Sequence, residues 1–275
     1  MAVSPYKEAL DNTTWSYSRI HSYTTCPAMF RYVYLEKKPK VENAFAEFGS
    51  FCHSILESYE KGELAEYELG DVYQEKYDEN VTCDFPVTKW GSMGEKYYSK
   101  GLSYFETFEG FPENWELIGA EIDAEFCISN YNIVGFIDLL VRDKNDGKLI
   151  VVDHKSKAKF KNKDEQEEYA IQLYLYSKWV YENYGEYPKE LVFNMFREQE
   201  MVVIPFNLED YKKAIQWVID TIQNIYNDFD FWDKIKLSCE KKGVNIPYKN
   251  FDFFCNNLCS CRTSCNRTEY GDEHE

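Results

Sequence analysis

Two aspartates sit where strands ordinarily exclude them. Asp138 interrupts the apolar run Ile133-Val134-Gly135-Phe136-Ile137-Asp138-Leu139-Leu140-Val141, and Asp153 closes the run Leu149-Ile150-Val151-Val152-Asp153. Strands favour β-branched and aromatic residues and deplete Asp, which is rarely buried without a partner. The turn sequence Asn145-Asp146-Gly147 separates the two runs, so a hairpin would bring the acids close together. Neighbouring carboxylates repel unless something positive lies between them. A divalent cation resolves the repulsion, and hard oxygen ligands suit Mg²⁺ or Mn²⁺, which are held by one or two carboxylates plus water and substrate phosphate. Lys155, two residues beyond Asp153, points to the same face of an extended backbone and adds a fixed cation there. A lone Asp in a strand is more often a turn or edge residue; the joint pattern is what selects these three. Glu121, in Ala120-Glu121-Ile122-Asp123-Ala124-Glu125, could add a third carboxylate from the preceding strand. Alternation, however, puts Asp123 and Glu125 on the face of Glu121, as on a plain solvated strand.

Such acids need a sheet held by helices. Partial alternation and β-rich runs predict strands over Glu116–Ile128, Asn132–Val141, Lys148–Asp153, Glu190–Phe196 and Met201–Phe206. Apolar residues at helical spacing predict helices over Glu165–Tyr184 and near Leu208–Tyr226. Residues 15–60 also read as helical, through Ile20, Tyr23, Phe30 and Tyr34, then Phe51, Ile55, Leu56 and Tyr59 after Gly49. The order implies an α/β core, a central mixed β-sheet flanked by helices. It divides into an N-terminal helical segment (1–114), the core (115–230) and a cysteine-rich C-terminal segment (231–275). The acidic stretch Glu63–Glu79 reads as a solvated face. His53, amid Phe51, Ile55 and Leu56, reads by itself as a core histidine. Gln172 and Tyr176, four apart, share a helix face, and Tyr176 can equally join Leu173, Trp179 and Val180 in the core.

The 275 residues include 23 Tyr, 19 Phe and 6 Trp, far too aromatic for a disordered chain. With 31 Lys and Arg against 48 Asp and Glu, the net charge is −17, so a polyanion must be met by a local patch. The best patch is Lys155, Lys157, Lys159, Lys161 and Lys163, which an extended segment would present as a row along a DNA backbone; Arg31, Lys37, Lys38 and Lys40 can add to it. Trp15, Tyr17 and Trp90 could stack on unpaired bases. No sequence-reading apparatus such as helix-turn-helix or zinc-finger spacing is visible. The opening residues show no apolar signal region and no run is long enough for a membrane span, which predicts a cytoplasmic protein with no membrane partner. Nine cysteines then read as reduced thiols or metal ligands. Cys255, Cys259, Cys261 and Cys265 crowd the segment Phe251–Cys265 and could hold a tetrahedral Zn²⁺, whereas Cys52, Cys83, Cys127 and Cys239 read as small buried or ordinary surface thiols.

Five local patterns in order resemble the PD-(D/E)XK nuclease superfamily, and more narrowly its RecB-like branch. They are Ser16-Tyr17-Ser18-Arg19-Ile20 with Tyr23, Cys26-Pro27 and Phe30; Gly49-Ser50-Phe51-Cys52-His53; Gly135-Phe136-Ile137-Asp138; Asp153-His154-Lys155; and Gln172-Leu173-Tyr174-Leu175-Tyr176. The resemblance implies a restriction-endonuclease-like core and a metal-dependent DNA exonuclease, cutting phosphodiesters of single strands or free ends with Mn²⁺ or Mg²⁺. It implies Asp138, Asp153, His53 and the main-chain carbonyl of His154 as metal ligands. It makes Lys155 the group that orients water or stabilises charge on the phosphate, and Gln172 and Tyr176 the wall beside them. Iron–sulfur members of the branch, similar to AddB-type helicase-nucleases and CRISPR-associated exonucleases, use one cysteine near the N-terminus and three near the C-terminus. By similarity, Cys26, Cys255, Cys259 and Cys265 would bind a structural [4Fe–4S] cluster, with Cys261 as an alternative ligand. The chain departs from the family here, with three rather than two residues between Cys255 and Cys259 and Cys261 inserted. Helicase, recombination or CRISPR-adaptation proteins are the implied partners. The rival readings are a catalytically silent DNA-end-binding adaptor of a helicase or integrase complex and a zinc-tailed interaction protein.

Overall fold

The computed structural model describes residues 6–89, 91–229 and 253–265. Its helices are α1 (Lys7–Asp11), α2 (Tyr17–Thr25), α3 (Pro27–Phe30), α4 (Ala44–Glu60), α5 (Leu69–Asn80), α6 (Met93–Glu106), α7 (Lys163–Tyr184) and α8 (Leu208–Phe229). A short hairpin, β1 (Val87–Thr88) and β2 (Gly91–Ser92), precedes α6. The main strands are β3 (Trp115–Ile128), β4 (Tyr131–Asp143), β5 (Leu149–His154), β6 (Glu190–Met195) and β7 (Glu200–Pro205). They form one five-stranded sheet in that order, antiparallel from β4 to β5, parallel from β5 to β6 and antiparallel from β6 to β7. The expected mixed sheet flanked by helices is therefore present. Among the described residues no helix is long and apolar enough to cross a membrane.

The chain divides into two compact units. One comprises Ala44–Phe126 and Val134–Ile215. Its central strand β5 is buried at every position, as expected for a strand with neighbours on both edges and both faces covered. The turn before it forms at Asn145-Asp146-Gly147, where Gly147 takes φ 72°, a conformation glycine adopts without steric cost. Leu139, Val141, Ile150, Val152 and Val192 make one apolar layer of the sheet. A second cluster joins Phe48, Phe51, Ile55 and Leu56 of α4 to Leu69, Tyr73 and Tyr77 of α5 and to Tyr104 and Phe105 of α6. The acidic stretch is thus only partly a solvated face, because its apolar residues recur every four positions and bury one side of α5. Helix α7 begins where the Asn162 side chain accepts from the backbone N–H of Glu165 at 2.9 Å and ends at Gly185 with φ 73°.

The other unit comprises Met1–Asn43, Cys127–Ile133 and Gln216–Glu275. Trp15 is its buried centre, its ring stacked on Phe30 at 6.2 Å and its backbone N–H donating to the Asn132 carbonyl at 2.8 Å. This corrects the expectation that Trp15 is open to a base: an indole 1% exposed has no free face. Trp90 and Cys239 lie outside the described residues, as does most of 231–275. Arg31, expected on a basic surface, is also buried, its Nε 3.3 Å from a Glu36 carboxylate oxygen and its guanidinium over Tyr32. Of the cysteines read as buried or ordinary surface thiols, Cys52 is buried, Cys83 half-buried and Cys127 exposed.

Candidate active site

The β4–β5 register carries the two aspartates together. Leu139 pairs with Val152, so one further step along both strands sets Asp138 opposite Asp153. The ladder yields there to a side chain, with the His154 N–H donating to Asp138 Oδ2 at 2.7 Å. Gly135, three residues earlier, is required by packing: a Cβ at this position would lie 2.7 Å from Tyr176 Cε1. Asp138 and Asp153 are 8% and 2% exposed. Burial, then the charge of Asp153, hold the Asp138 carboxyl well above the usual carboxylate range, against the opposing pull of Lys155.

Asp153 and Lys155 face α7. The Lys155 ammonium lies 2.7 Å from Asp153 Oδ2, a buried oxygen, and donates to Gln172 Oε1 at 3.2 Å. Gln172 Nε2 in turn donates to the Tyr176 hydroxyl at 2.9 Å. Burial alone would lower the Lys155 pKa, but Asp153 and Asp138 together raise it, so the ammonium stays charged. Tyr176 is buried, as a core residue would be, and its hydroxyl ends the chain of contacts that leads through Gln172 to Lys155.

His53 enters from α4. Its Nε2 lies 2.8 Å from the His154 carbonyl oxygen, which can only accept, so Nε2 carries the proton. Burial, then the neighbouring His154, lower the His53 pKa to about 4, so the ring is neutral at pH 7 and Nδ1 bears a lone pair. That nitrogen stands 3.6 Å from Asp138 Oδ2. Two electron-pair donors at this distance repel unless a cation or proton lies between them. Glu121 joins the same place: one donor atom each from His53, Glu121 and Asp138 lie within 4.8 Å of one another. Glu121 is half-buried while Asp123 and Glu125 are exposed, so the expected sharing of one face does not hold. The reason is a break in the pleat, since Glu121 takes φ 47°, a left-handed conformation unusual for a non-glycine residue. Such kinks re-aim a side chain. An imidazole nitrogen and two carboxylates at one place, beside Asp153, form a donor set that fits a divalent cation.

Sequence reading missed the other side of β5. His154 points away from Lys155 and its Nε2 lies 2.7 Å from Glu60 Oε1. Asn194 Nδ2 donates to His154 Nδ1 at 3.1 Å and to the Tyr104 hydroxyl at 2.9 Å. All four residues are at most 8% exposed. Burial raises the Glu60 pKa to about 8 and lowers that of His154 to about 4, which makes this a neutral pair at pH 7. Glu60 follows His53 by two helical turns, a same-face spacing that could have flagged it.

The lysine row lies differently from its expected arrangement. Residues 155–162 leave β5 as irregular chain. Lys157 and Lys161 approach Glu165 at 3.0 and 3.6 Å, and Lys163 approaches Glu167 at 3.2 Å. Lys159 is exposed.

In the other unit, Cys259 and Cys261 are buried among Ala28, Tyr32 and Val33, with Cys26 and Cys265 packed against them. Cys259 Sγ and Cys261 Sγ are 3.4 Å apart. The contact with Cys259, then burial, push the Cys261 thiol far up, with further contributions from Cys265 and Cys26. Cys255 is half-buried in the turn Phe254–Leu258.

A family model of the PD-(D/E)XK nuclease superfamily matches residues 14–266. The chain belongs to this superfamily. Its members are hydrolytic nucleases that use divalent metals, and the sheet described above is their restriction-endonuclease-like core. No curated protein matches the chain. A solved structure from Eubacterium rectale, named "Putative exonuclease", aligns at 12% identity and a TM-score of 0.46, covering 83% of this chain and 88% of that one.

Proposed function

We propose that this PD-(D/E)XK protein is a metal-dependent DNA exonuclease acting on single strands or free ends, stapled by an iron–sulfur cluster. The observation that carries the nuclease reading is the convergence of Asp138, Asp153 and Lys155 with His53 and Glu121. Asp138, Asp153, His53 and the His154 carbonyl would hold Mn²⁺ or Mg²⁺, with Glu121 as a further carboxylate. Bound there, the metal would polarise the scissile phosphate and lower the pKa of a water. Lys155 then stabilises the negative charge that grows on the phosphate oxygens, and Gln172, itself fixed by Tyr176, keeps its ammonium aimed. Lys159, with Lys157, Lys161 and Lys163 in exchange with their carboxylate partners, would meet the DNA backbone. Preference for unpaired DNA is supported by Phe136, which is 56% exposed two residues before Asp138 on the same strand. An open aromatic ring beside the reacting centre is a stacking platform for an unpaired base.

For the cluster, Cys26, Cys255, Cys259 and Cys265 are the candidate ligands, with Cys261, which packs with Cys26, Cys259 and Cys265, as an alternative. A Zn²⁺ site is the second reading: Zn–S bonds of about 2.3 Å put ligand sulfurs roughly 3.8 Å apart, near the 3.4 Å between Cys259 and Cys261. Iron and zinc analysis of the purified protein separates the two.

The test of function is digestion of end-labelled single-stranded and duplex DNA with Mn²⁺, Mg²⁺ or EDTA, comparing the unmodified protein with Lys155→Ala. Metal-dependent shortening from an end, lost in the variant, is the expected result. Tight binding without cutting in every metal would replace the exonuclease reading with the end-binding adaptor.

A further inference from the structure

The residue between Asp153 and Lys155 is built as a fixture. His154 uses both backbone groups toward the metal-site residues: its N–H donates to Asp138 Oδ2 at 2.7 Å and its carbonyl accepts from His53 Nε2 at 2.8 Å. Its side chain is gripped from the opposite side of the strand by groups on three other elements. Glu60 at the end of α4 takes Nε2 at 2.7 Å, and Asn194 on β6 takes Nδ1 at 3.1 Å. Tyr104 on α6 holds Asn194 at 2.9 Å, and Phe111 stacks on the ring with planes 12° apart. Asn194 also holds the following peptide, its carbonyl accepting from the Lys155 N–H at 2.8 Å. Each polar atom of the ring has a partner, so rotation of the imidazole would leave buried donors and acceptors unpaired.

We propose that Glu60, acting through His154 and Asn194, is a positioning residue for the metal centre. The network does not touch the metal. It fixes the rotamer of His154 and so the direction in which that residue's N–H and carbonyl face Asp138 and His53. Outer-shell partners of this kind change metal affinity by about 10–100-fold when removed. The Asn194 link extends the same control to Lys155, tying ammonium and metal ligands to one rigid backbone step. This role rests on the metal-centre reading given above.

Mn²⁺ binding, followed by calorimetry on the full-length protein without DNA, tests it independently of cleavage. The comparison uses the unmodified protein, Asp138→Asn, Glu60→Gln and Glu60→Leu, well below the lowest melting temperature of the set. Gln keeps an oxygen that can accept from His154 Nε2, whereas Leu fills the space and offers none. The expected outcome is binding lost in Asp138→Asn, kept within a few-fold in Glu60→Gln, and weakened about tenfold or more in Glu60→Leu. Glu60→Leu binding as tightly as the unmodified protein overturns the positioning role and leaves the metal centre standing. An unmodified protein that binds no Mn²⁺ overturns both. Should Glu60→Leu fail to fold, Asn194→Ser is read by the same criterion, unaltered affinity again refuting the role.

Discussion

In the carboxylate site the polar groups hold one another: Asp138 is held by His154, His53 by the same residue's carbonyl, Lys155 by Gln172, and Gln172 by Tyr176. The thiols of the cysteine cluster instead pack among Ala28, Tyr32 and Val33 and against each other. The first arrangement fixes directions in the protein itself, as a site must when it aligns charge with a transition state. The second gathers sulfur donors, an arrangement that would suit a bound metal group, which imposes its own geometry and contributes folding energy. One region should therefore be sensitive in activity and the other in stability.

The sharpest test of that division exchanges the two defects. Lys155→Ala should lower cleavage by about 10²–10³-fold, with metal content in the thiol cluster unchanged by elemental analysis. Cys261→Ser should do the reverse, losing bound iron or zinc and lowering the melting temperature; a fully metallated, unshifted variant would remove Cys261 as a ligand. Next comes pH. Glu60, with a pKa raised from 4.5 to about 8, keeps in the fold a proton that the unfolded chain releases. That contribution is fully present below pH 4.5 and is lost as pH rises through 8. His53 and His154, lowered to about 4, act oppositely, costing stability as pH falls from 6.5 to 4. Between pH 6.5 and 8 only Glu60 of these three acts, so denaturant unfolding should show a loss of about 2 kcal/mol that Glu60→Gln abolishes.

Smaller effects sharpen the carboxylate side further. Phe136→Ala should reduce affinity for single-stranded DNA roughly fivefold while changing duplex affinity less, as titration of labelled oligonucleotides would show. Glu121→Gly should relieve the left-handed backbone at φ 47° and stabilise the fold by up to about 1 kcal/mol while weakening Mn²⁺ binding. A variant destabilised by that change would mean the kink is not strained.

What could be read from sequence followed the range of the physical signal. The apolar runs around Asp138 and Asp153 are β-rich and have a turn of fixed chemistry between them, so the strands and the nearness of the acids were legible, while the register is a finding of the structure. The same alternation misplaced Glu121, because one positive φ defeats a rule that assumes a regular pleat. His53 stood out only through the resemblance, since locally it looks like a core residue. The set of Glu60, His154, Asn194 and Tyr104 joins four elements, and the only local trace it leaves is the two-turn spacing of Glu60 from His53. Helix α6 was missed for a related reason: its aromatic residues Tyr97, Tyr98, Tyr104 and Phe105 are interspersed with Gly94 and Gly101, which weaken a helical pattern. Trp15 was misplaced because composition tells that aromatics are abundant, not which are enclosed.

The thiol cluster has a consequence for the order of synthesis. Arg262 Nη1 donates to the Val41 carbonyl across 221 residues, and the Val41 N–H donates to the Ser260 carbonyl at 2.7 Å. At elongation rates of about 5–20 residues per second, Val41 waits roughly 10–40 s for these partners to be made. Every segment of Ala44–Phe126 and Val134–Ile215 leaves the ribosome within that interval. The carboxylate site can assemble on the nascent chain, whereas Cys26 stays without Cys259, Cys261 and Cys265 until translation has passed them, so the metal group proposed for these thiols would be delivered late.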